Sequence, residues 1–306
     1  MAESTIGVLG LGKMGSNIAR QLIGKGYKVI VYNRSREPID ELVGQGAAGA
    51  DSVEDLVSKL GTGAGKIVWL MLPAGRVTDE AVGQLAGTMT RGDIIIDGSN
   101  SYFKEDLRHK EVLGSKGIAL LDAGCSGGPY GALHGMSIMV GGDRKTFENV
   151  EYLFRDLSVK DGYTYVGGTG SGHFTKMVHN AIEYGMMESI AEGLELIKRG
   201  PYKDVDLASL LKTWNNGSVI SGRLIELSES AVRNNAEMSG IMPHVEDTGE
   251  GRWSSMLALE YGVPFGSISN ALFNRFSSRD DMQYGRRFLA ALRHEFGGHE
   301  VIRKDD

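Results

Sequence analysis

The run Thr5-Ile6-Gly7-Val8-Leu9 leads directly into Gly10-Leu11-Gly12-Lys13-Met14-Gly15. Ile18, Ala19, Leu22 and Ile23 then repeat with helical spacing as far as Gly26. A strand, a glycine turn and a helix in that order leave the backbone few alternatives. Gly10 permits the tight turn, Gly12 lets the main chain approach a pyrophosphate, and Gly15 lets helix and strand pack closely. The first N–H groups of the helix, at its positive dipole end, then face the phosphates. This glycine spacing is a weak signal alone and a strong one between a strand and a helix near a chain start. It predicts a dinucleotide-binding unit, with Gly10, Leu11, Gly12, Lys13, Met14 and Gly15 against the cofactor and a second strand at 28–32.

The end of the second strand is where such units distinguish their cofactors. An acidic residue there would accept hydrogen bonds from the ribose 2′-hydroxyl and favour NAD. This chain has Asn33-Arg34-Ser35-Arg36 instead. Arg34 can pair with a 2′-phosphate, and Asn33 and Ser35 can add hydrogen bonds. NADP is the expected cofactor. NAD is the alternative if Arg34 only stacks over the adenine.

Alternation of strand and helix continues. Apolar runs predict buried strands at 66–72, 93–96 and 118–121, and later strands at 137–140 and 163–166. In open parallel sheets, ligands bind beyond the carboxyl ends of the strands. Those ends carry Leu72-Pro73-Ala74-Gly75, Asp97-Gly98-Ser99-Asn100-Ser101 and Gly124-Cys125-Ser126-Gly127-Gly128. Ser126, Gly127 and Gly128 combine free N–H groups with a hydroxyl, which suits a carboxylate and equally a plain turn.

After the glycine-rich stretch 167–172 the pattern becomes helical. A long helix is predicted over 175–198, closed by Gly200-Pro201, with further helices at 206–215, 222–234, 252–261, 267–275 and 281–295. The fold expected is therefore an α/β Rossmann-type doubly wound sheet over 1–172, followed by an all-α domain over 173–306. Within the long helix, Lys176, His179, Asn180 and Glu183 fall at i, i+3, i+4 and i+7 and so share one stripe. Met177, Val178, Ala181, Ile182 and Met186 fall on the rest of the surface. On an isolated helix this stripe would be an ordinary solvated face; behind a dinucleotide-binding sheet it reads as an active-site wall. Arg252, Arg275 and the pair Arg293 and His299 supply cationic groups that match phosphate oxygens, though each taken singly is ordinary surface charge.

Composition sets outer limits. The 306 residues are 41% hydrophobic and 24% charged, enough for two domains with a sizeable core. A net charge of -6 argues against a general nucleic-acid surface. Cys125 is the single cysteine, so no intrachain disulfide forms, and a cytoplasmic location is expected. The N-terminus lacks a basic stretch followed by an apolar run, and no apolar stretch approaches membrane-spanning length. No sequence cluster of histidine, cysteine and aspartate suggests a metal.

Taken together, these motifs resemble the 6-phosphogluconate dehydrogenase family, the decarboxylating branch of the β-hydroxyacid dehydrogenase superfamily. The resemblance runs from Ile6 to about His299. It rests on the glycine signature with Tyr32-Asn33-Arg34-Ser35, on Asp97-Gly98-Ser99-Asn100-Ser101, on Ser126-Gly127-Gly128, and above all on Lys176-Met177-Val178-His179-Asn180-Ala181-Ile182-Glu183-Tyr184-Gly185. It implies that Lys176 is the general base and Glu183 the general acid. Asn100, His179, Asn180 and Tyr184 would contact substrate, and Ser126, Gly127 and Gly128 would hold its carboxylate. Arg252 and Arg275 would bind its phosphate, with Arg293 and His299 serving the chain's own site or a neighbouring subunit's. Leu72, Pro73, Ala74 and Asn100 would complete the cofactor site. The chain departs from the long family form in several places. It lacks roughly a third of the long form's length, which implies a homodimer or homotetramer. Arg252 replaces a lysine, Pro73 replaces a cofactor-loop lysine, and Pro129-Tyr130 replaces an acidic pair.

The implied reaction converts 6-phosphogluconate and NADP to ribulose 5-phosphate, carbon dioxide and NADPH, as in the pentose phosphate pathway. The residues suit its steps. A neutral Lys176 can take the C3 hydroxyl proton, which requires its pKa to fall from about 10.4. As an ammonium it can then steady the enolate left by carbon dioxide, and a protonated Glu183 can supply the proton to C1. Two other functions compete. A dehydrogenase of the 3-hydroxyisobutyrate type would need no proton donor at Glu183 and no phosphate clamp. A non-catalytic NADPH sensor would leave the polar stripe idle.

Overall fold

The protein is described by a computed structural model over residues 4–303; residues 1–3, part of the N-terminal stretch weighed above, lie outside the described residues. Eight strands form one sheet: β1 Thr5–Leu9, β2 Lys28–Tyr32, β3 Ala48–Gly49, β4 Ile67–Leu70, β5 Ile94–Asp97, β6 Ala119–Ser126, β7 Met136–Gly142 and β8 Ser158–Gly167. Their order is β3-β2-β1-β4-β5-β6-β7-β8. All neighbours are parallel except β6 and β7, which run antiparallel. The chain winds out from β1 in one direction and from β4 in the other, so the topological switch lies between them, beside the glycine turn.

Helices cover both faces. They are α1 Lys13–Gly24, α2 Glu37–Val43, α3 Val53–Lys59, α4 Arg76–Thr88, α5 Phe103–Gly114, α6 Gly128–His134 and α7 Arg144–Leu157. Strand residues alternate between two cores because successive side chains point to opposite faces. Ile6, Val8, Ile67, Trp69, Ile94 and Ile96 join Ile18 and Leu22 of α1 and Leu153 and Phe154 of α7. Val68, Leu70 and Ile95 join Leu56 of α3, Leu85 of α4 and Leu113 of α5. Each such fully buried aliphatic side chain contributes roughly 1.5–3 kcal/mol relative to exposure. The doubly wound sheet expected from the sequence is thus present, with a two-residue β3 in addition and with β7, the strand expected at 137–140, running antiparallel.

Beyond β8 the described residues are helical: α8 Ser171–Arg199, α9 Leu207–Asn215, α10 Arg223–Asn234, α11 Glu250–Glu260, α12 Gly266–Ser278 and α13 Tyr284–Gly297. Two compact units part between Asn180 and Ala181, inside α8. The change to helix at 171–172 and the change of packing at 180–181 are therefore separate events. In the second unit, Leu207 and Leu211 of α9 pack with Ile225 and Val232 of α10 and with Ile190, Leu194 and Ile197 of α8. Asp206 caps α9 through the N–H groups of Ala208 and Ser209, at 3.0 and 3.1 Å. A smaller cluster joins Tyr184 to Ala271 and Leu272 of α12. No described helix is long and apolar enough to cross a membrane.

Candidate active site

The glycine turn shows why each glycine is needed. Gly10 has φ +98°, and a Cβ there would lie 2.4 Å from the carbonyl oxygen of Met71. A Cβ on Gly15 would lie 1.9 Å from the carbonyl oxygen of Gly10, so α1 could not close on the turn. Nothing lies within 4 Å of a Cβ built on Gly12. That open side, at the N-cap of α1 with no side-chain cap and no acidic residue in the first turn, fits the pyrophosphate of a dinucleotide. Lys13 is exposed and Met14 half-buried beside it.

At the end of β2, the Asn33 carboxamide is committed to the turn itself. It accepts the N–H of Leu11 at 3.1 Å and donates to the carbonyl of Ser35 at 3.2 Å. Arg36 pairs with Asp40 at 2.8 Å and Asp51 at 2.6 Å. Arg34 and Ser35 are exposed, and among the described residues Arg34 makes no ion pair. Asn33 thus braces the glycine turn, and Arg34 is the exposed guanidinium beside it. Past β4, Pro73 and Ala74 are exposed, the N–H of Leu72 donates to the Ser99 hydroxyl at 3.2 Å, and Gly75 with φ +84° starts α4.

The loop after β5 is organised by Asp97. Its carboxylate accepts the Ser99 N–H at 2.9 Å and the Ser101 hydroxyl at 3.2 Å, with Asn100 exposed between them. The third expected loop, 124–128, is partly strand. Gly124, Cys125 and Ser126 are the last residues of β6, paired with Met139, Ile138 and Ser137. Only Gly127 and Gly128, with φ +121° and +59°, make the turn into α6. Burial pushes the Cys125 thiol up to about 12 despite the pull of Lys176, so it is not a nucleophile at neutral pH.

The start of α8 lies directly on these strands. A Cβ on Gly124 would meet the Lys176 Cβ at 2.4 Å, and a Cβ on Gly172 would meet the carbonyl oxygens of Asp122 and Met139 at 2.5 Å. Lys176 is 6% exposed, and its ammonium or amine donates to the Asn180 carboxamide oxygen. The same oxygen is 3.1 Å from His179 Nδ1, and His179 Nε2 is 3.4 Å from the Ser126 hydroxyl. Lys176, His179, Asn180 and Ser126 are thus brought together within the first unit. Glu183, in the second unit, is half-buried.

Two of the expected phosphate ligands sit in one cluster in the second unit. Arg275 stacks over the Tyr184 ring at 3.7 Å and donates to the Glu246 carbonyl at 2.7 Å. Tyr184 is buried, its hydroxyl accepting the Thr248 N–H at 3.2 Å. Arg252 pairs with Asp247 at 2.9 Å, and Arg279 reaches Asp247 at 2.8 Å and Glu246 at 2.5 Å. Burial works against the Asp247 carboxylate, but the hydrogen bonds of Arg279 and Arg252 prevail and hold its pKa below the usual range. Arg293 and His299 are exposed, on α13 and just beyond it, and the bonds that build this cluster involve neither.

Residues 5–167 match the NAD-binding domain of 6-phosphogluconate dehydrogenase, and residues 172–287 match the C-terminal domain of the same enzyme. This chain belongs to the 6-phosphogluconate dehydrogenase family. It is 41% identical over 303 residues to the NAD(+)-dependent, decarboxylating 6-phosphogluconate dehydrogenase of Haloferax volcanii, covering 98% of this chain and 99% of that one. It is 38% identical over 290 residues to the NAD(+)-dependent, decarboxylating enzyme of Bacillus subtilis, covering 90% of this chain but 61% of that one. The family therefore includes relatives of matching length and longer ones of which this chain spans part. Among solved structures, the Plasmodium falciparum 6-phosphogluconate dehydrogenase, described with its cofactor NADP+ and with its substrate 6-phosphogluconate, superposes with a TM-score of 0.83 at 29% identity, over 99% of this chain and 67% of that one.

Several structural partners were not read from the sequence. They include Asp97 under Asn100, Gly124 and Gly172 against α8, Thr248 on Tyr184, and the Asp247–Arg279 bridge beside Arg252. The glycine-rich stretch 167–172 before Lys176 was the available signal for the close helix–sheet seam.

Proposed function

We propose that this protein oxidises and decarboxylates 6-phosphogluconate to ribulose 5-phosphate and carbon dioxide, with NADP as the electron acceptor. The chain is an NAD(P)-dependent oxidoreductase by family. The observation that carries the substrate assignment is the single helix α8, which buries Lys176 against β6 and repeats His179, Asn180 and Glu183 along its stripe. The decarboxylating relatives support the same reaction.

The proposed roles follow from chemistry. Ser126 and the Gly127–Gly128 turn receive the carboxylate, while Asn100, His179 and Asn180 orient the hydroxyls. As a neutral amine, Lys176 accepts the C3 hydroxyl proton. When bound, the nicotinamide accepts the hydride from C3. The Lys176 ammonium then stabilises the enolate oxygen as carbon dioxide departs, and Glu183 returns a proton to C1. Arg275, held on Tyr184, and Arg252 serve the phosphate, and Arg293 and His299 serve the same ligand in an assembled homodimer or homotetramer. The apolar residues Phe288 and Leu289, 52% and 58% exposed on α13, favour such assembly. We place the domain boundary at residue 172 and the protein in the cytoplasm, consistent with its single cysteine.

The NADP assignment rests on Arg34, since no carboxylate occupies the ribose position. Steady-state kinetics with carboxyl-labelled 6-phosphogluconate and either cofactor test the proposal. Label should leave as carbon dioxide in step with NADPH formation. Arg34→Ala should narrow the preference for NADP by about 10–100-fold, the worth of one charge-assisted contact. Oxidation of 3-hydroxyisobutyrate in preference, without carbon dioxide, would overturn the substrate; an equal or higher kcat/KM with NAD in the unmodified enzyme would overturn the cofactor.

A further inference from the structure

One buried ionic group has no part in the reaction just described. His173 and Asp106 are both fully buried, with Nδ1 of the imidazole 2.8 Å from a carboxylate oxygen. Asp97 offers a third polar atom, and the three groups lie within 4.8 Å of one another. Asp122, also fully buried, accepts the N–H groups of Gly170 at 2.7 Å and His173 at 3.0 Å. The partners come from four places: the end of β5, the first turn of α5, the middle of β6 and the first turn of α8.

Three carboxylates out of reach of water are costly unless a positive charge or donors compensate them. Some donors are backbone, but the groups able to carry positive charge here are His173 and Lys176. Burial acts to lower the His173 pKa, yet the negative charges of Asp106, Asp97 and Asp122 outweigh it and raise the value. A tetrahedral cation such as zinc fits the spacing poorly. Two ligands on one tetrahedral metal, each about 2.0–2.2 Å from it, sit roughly 3.3 Å apart, whereas the imidazole and Asp106 are 2.8 Å apart.

We infer that His173 is a positioning residue: clasped by Asp106 as an imidazolium, it fastens the first turn of α8 to the first turn of α5, the helix that follows the Asn100 loop, so that Lys176 and Asn100 are held for the same substrate. The geometry gives it two effects. Asp97 shapes the loop that carries Asn100, while Asp122 ties down the backbone at the start of α8. The positive charge also stands one helical turn before Lys176, where it favours the neutral, proton-accepting amine.

This inference rests on the proposed reaction for its kinetic consequence, and its charge state can be read independently. His173→Gln should lower kcat/KM for 6-phosphogluconate by about 100-fold, as expected for a misplaced reacting group, and leave the NADPH Kd within about twofold. The acid limb of the kcat/KM profile should move to higher pH, because Lys176 loses a neighbouring cation and keeps Asp97, Asp106 and Asp122. The double variant His173→Gln with Asp106→Asn, a neutral amide pair, should recover part of the loss. Val150→Ala, a core change in α7, should lower Tm without moving the limb. Side-chain nitrogen NMR on the full chain should show His173 as imidazolium at pH 7 and above.

Wild-type kcat/KM in His173→Gln, an equal limb shift in Val150→Ala, a neutral imidazole at pH 7, or a stoichiometric divalent metal in the purified protein would each overturn the inference. If the wild-type protein fails to turn over 6-phosphogluconate while His173 is an imidazolium, the proposed reaction falls and the buried clasp stands. If neither variant folds, the NMR measurement on the wild-type protein decides.

Discussion

The two functional ends of the first unit are built by opposite means. At the β1–α1 turn the decisive feature is missing side chains, since Gly10 and Gly15 leave no room for a Cβ and Gly12 leaves open space. At the start of α8 the decisive feature is charge withdrawn from water, with Lys176, His173, Asp106 and Asp122 all buried. A site made by close backbone approach can offer N–H groups to almost any pyrophosphate. A site made of buried charges must satisfy each charge individually, and that ties it to one ligand and one chemistry. The proposed cofactor capture and the proposed acid–base work thus draw on two different kinds of construction.

Mutations sharpen the contrast, beginning with the largest effect. Lys176→Ala should cost about 1,000-fold or more in kcat, the upper range for a lost general base, with NADPH binding intact by fluorescence titration; unchanged kcat would remove Lys176 from the general-base role. Gly124→Ala forces a methyl to within 2.4 Å of Lys176 and should lower kcat by about 100-fold, again with cofactor affinity retained. At the other end, Gly15→Ala should destabilise the fold by about 1–3 kcal/mol through overpacking and abolish NADPH binding. Gly12→Ala should keep Tm and weaken NADPH binding alone, because its methyl meets nothing in the protein. If thermal melts of those two variants coincide, the division between steric and electrostatic construction fails.

The smallest effect probes the second unit. Asp247 has its pKa lowered by Arg279 and Arg252, so its stabilising contribution is present above the unfolded-state pKa and is lost as pH falls through the native value. Asp247→Asn should therefore destabilise by about 1–3 kcal/mol at pH 7 and by much less in acid, when the wild-type carboxylate is itself protonated. Denaturant titrations at the two pH values check the sign.

Legibility from sequence follows the same division. The glycine turn could be read because strand, turn and helix are contiguous, and the α8 stripe because helical periodicity places Lys176, His179, Asn180 and Glu183 on one line. The clasp on His173 could not, since Asp106 is 67 positions away and Asp122 is 51. Arg279 and Glu246 are likewise 33 positions apart. The antiparallel β7 had a local cause that a count of residues would have exposed. Only the short α6 separates Ser126 from Met136, too little chain for the crossover that a parallel neighbour requires. The bracing of the glycine turn by Asn33 was hidden for a different reason: an amide beside such a turn serves the backbone as readily as a ligand.

The seam between sheet and α8 has no cushion. With bare α-carbons at Gly124 and Gly172 touching the opposing main chain, there is no flexible layer to absorb a shift of β6, and any drift of that strand reaches the lysine undiminished. Attempts to retune the enzyme toward other sugar acids would do best to leave that seam alone and vary the solvent-facing Pro129–Tyr130 corner, where added bulk has somewhere to go.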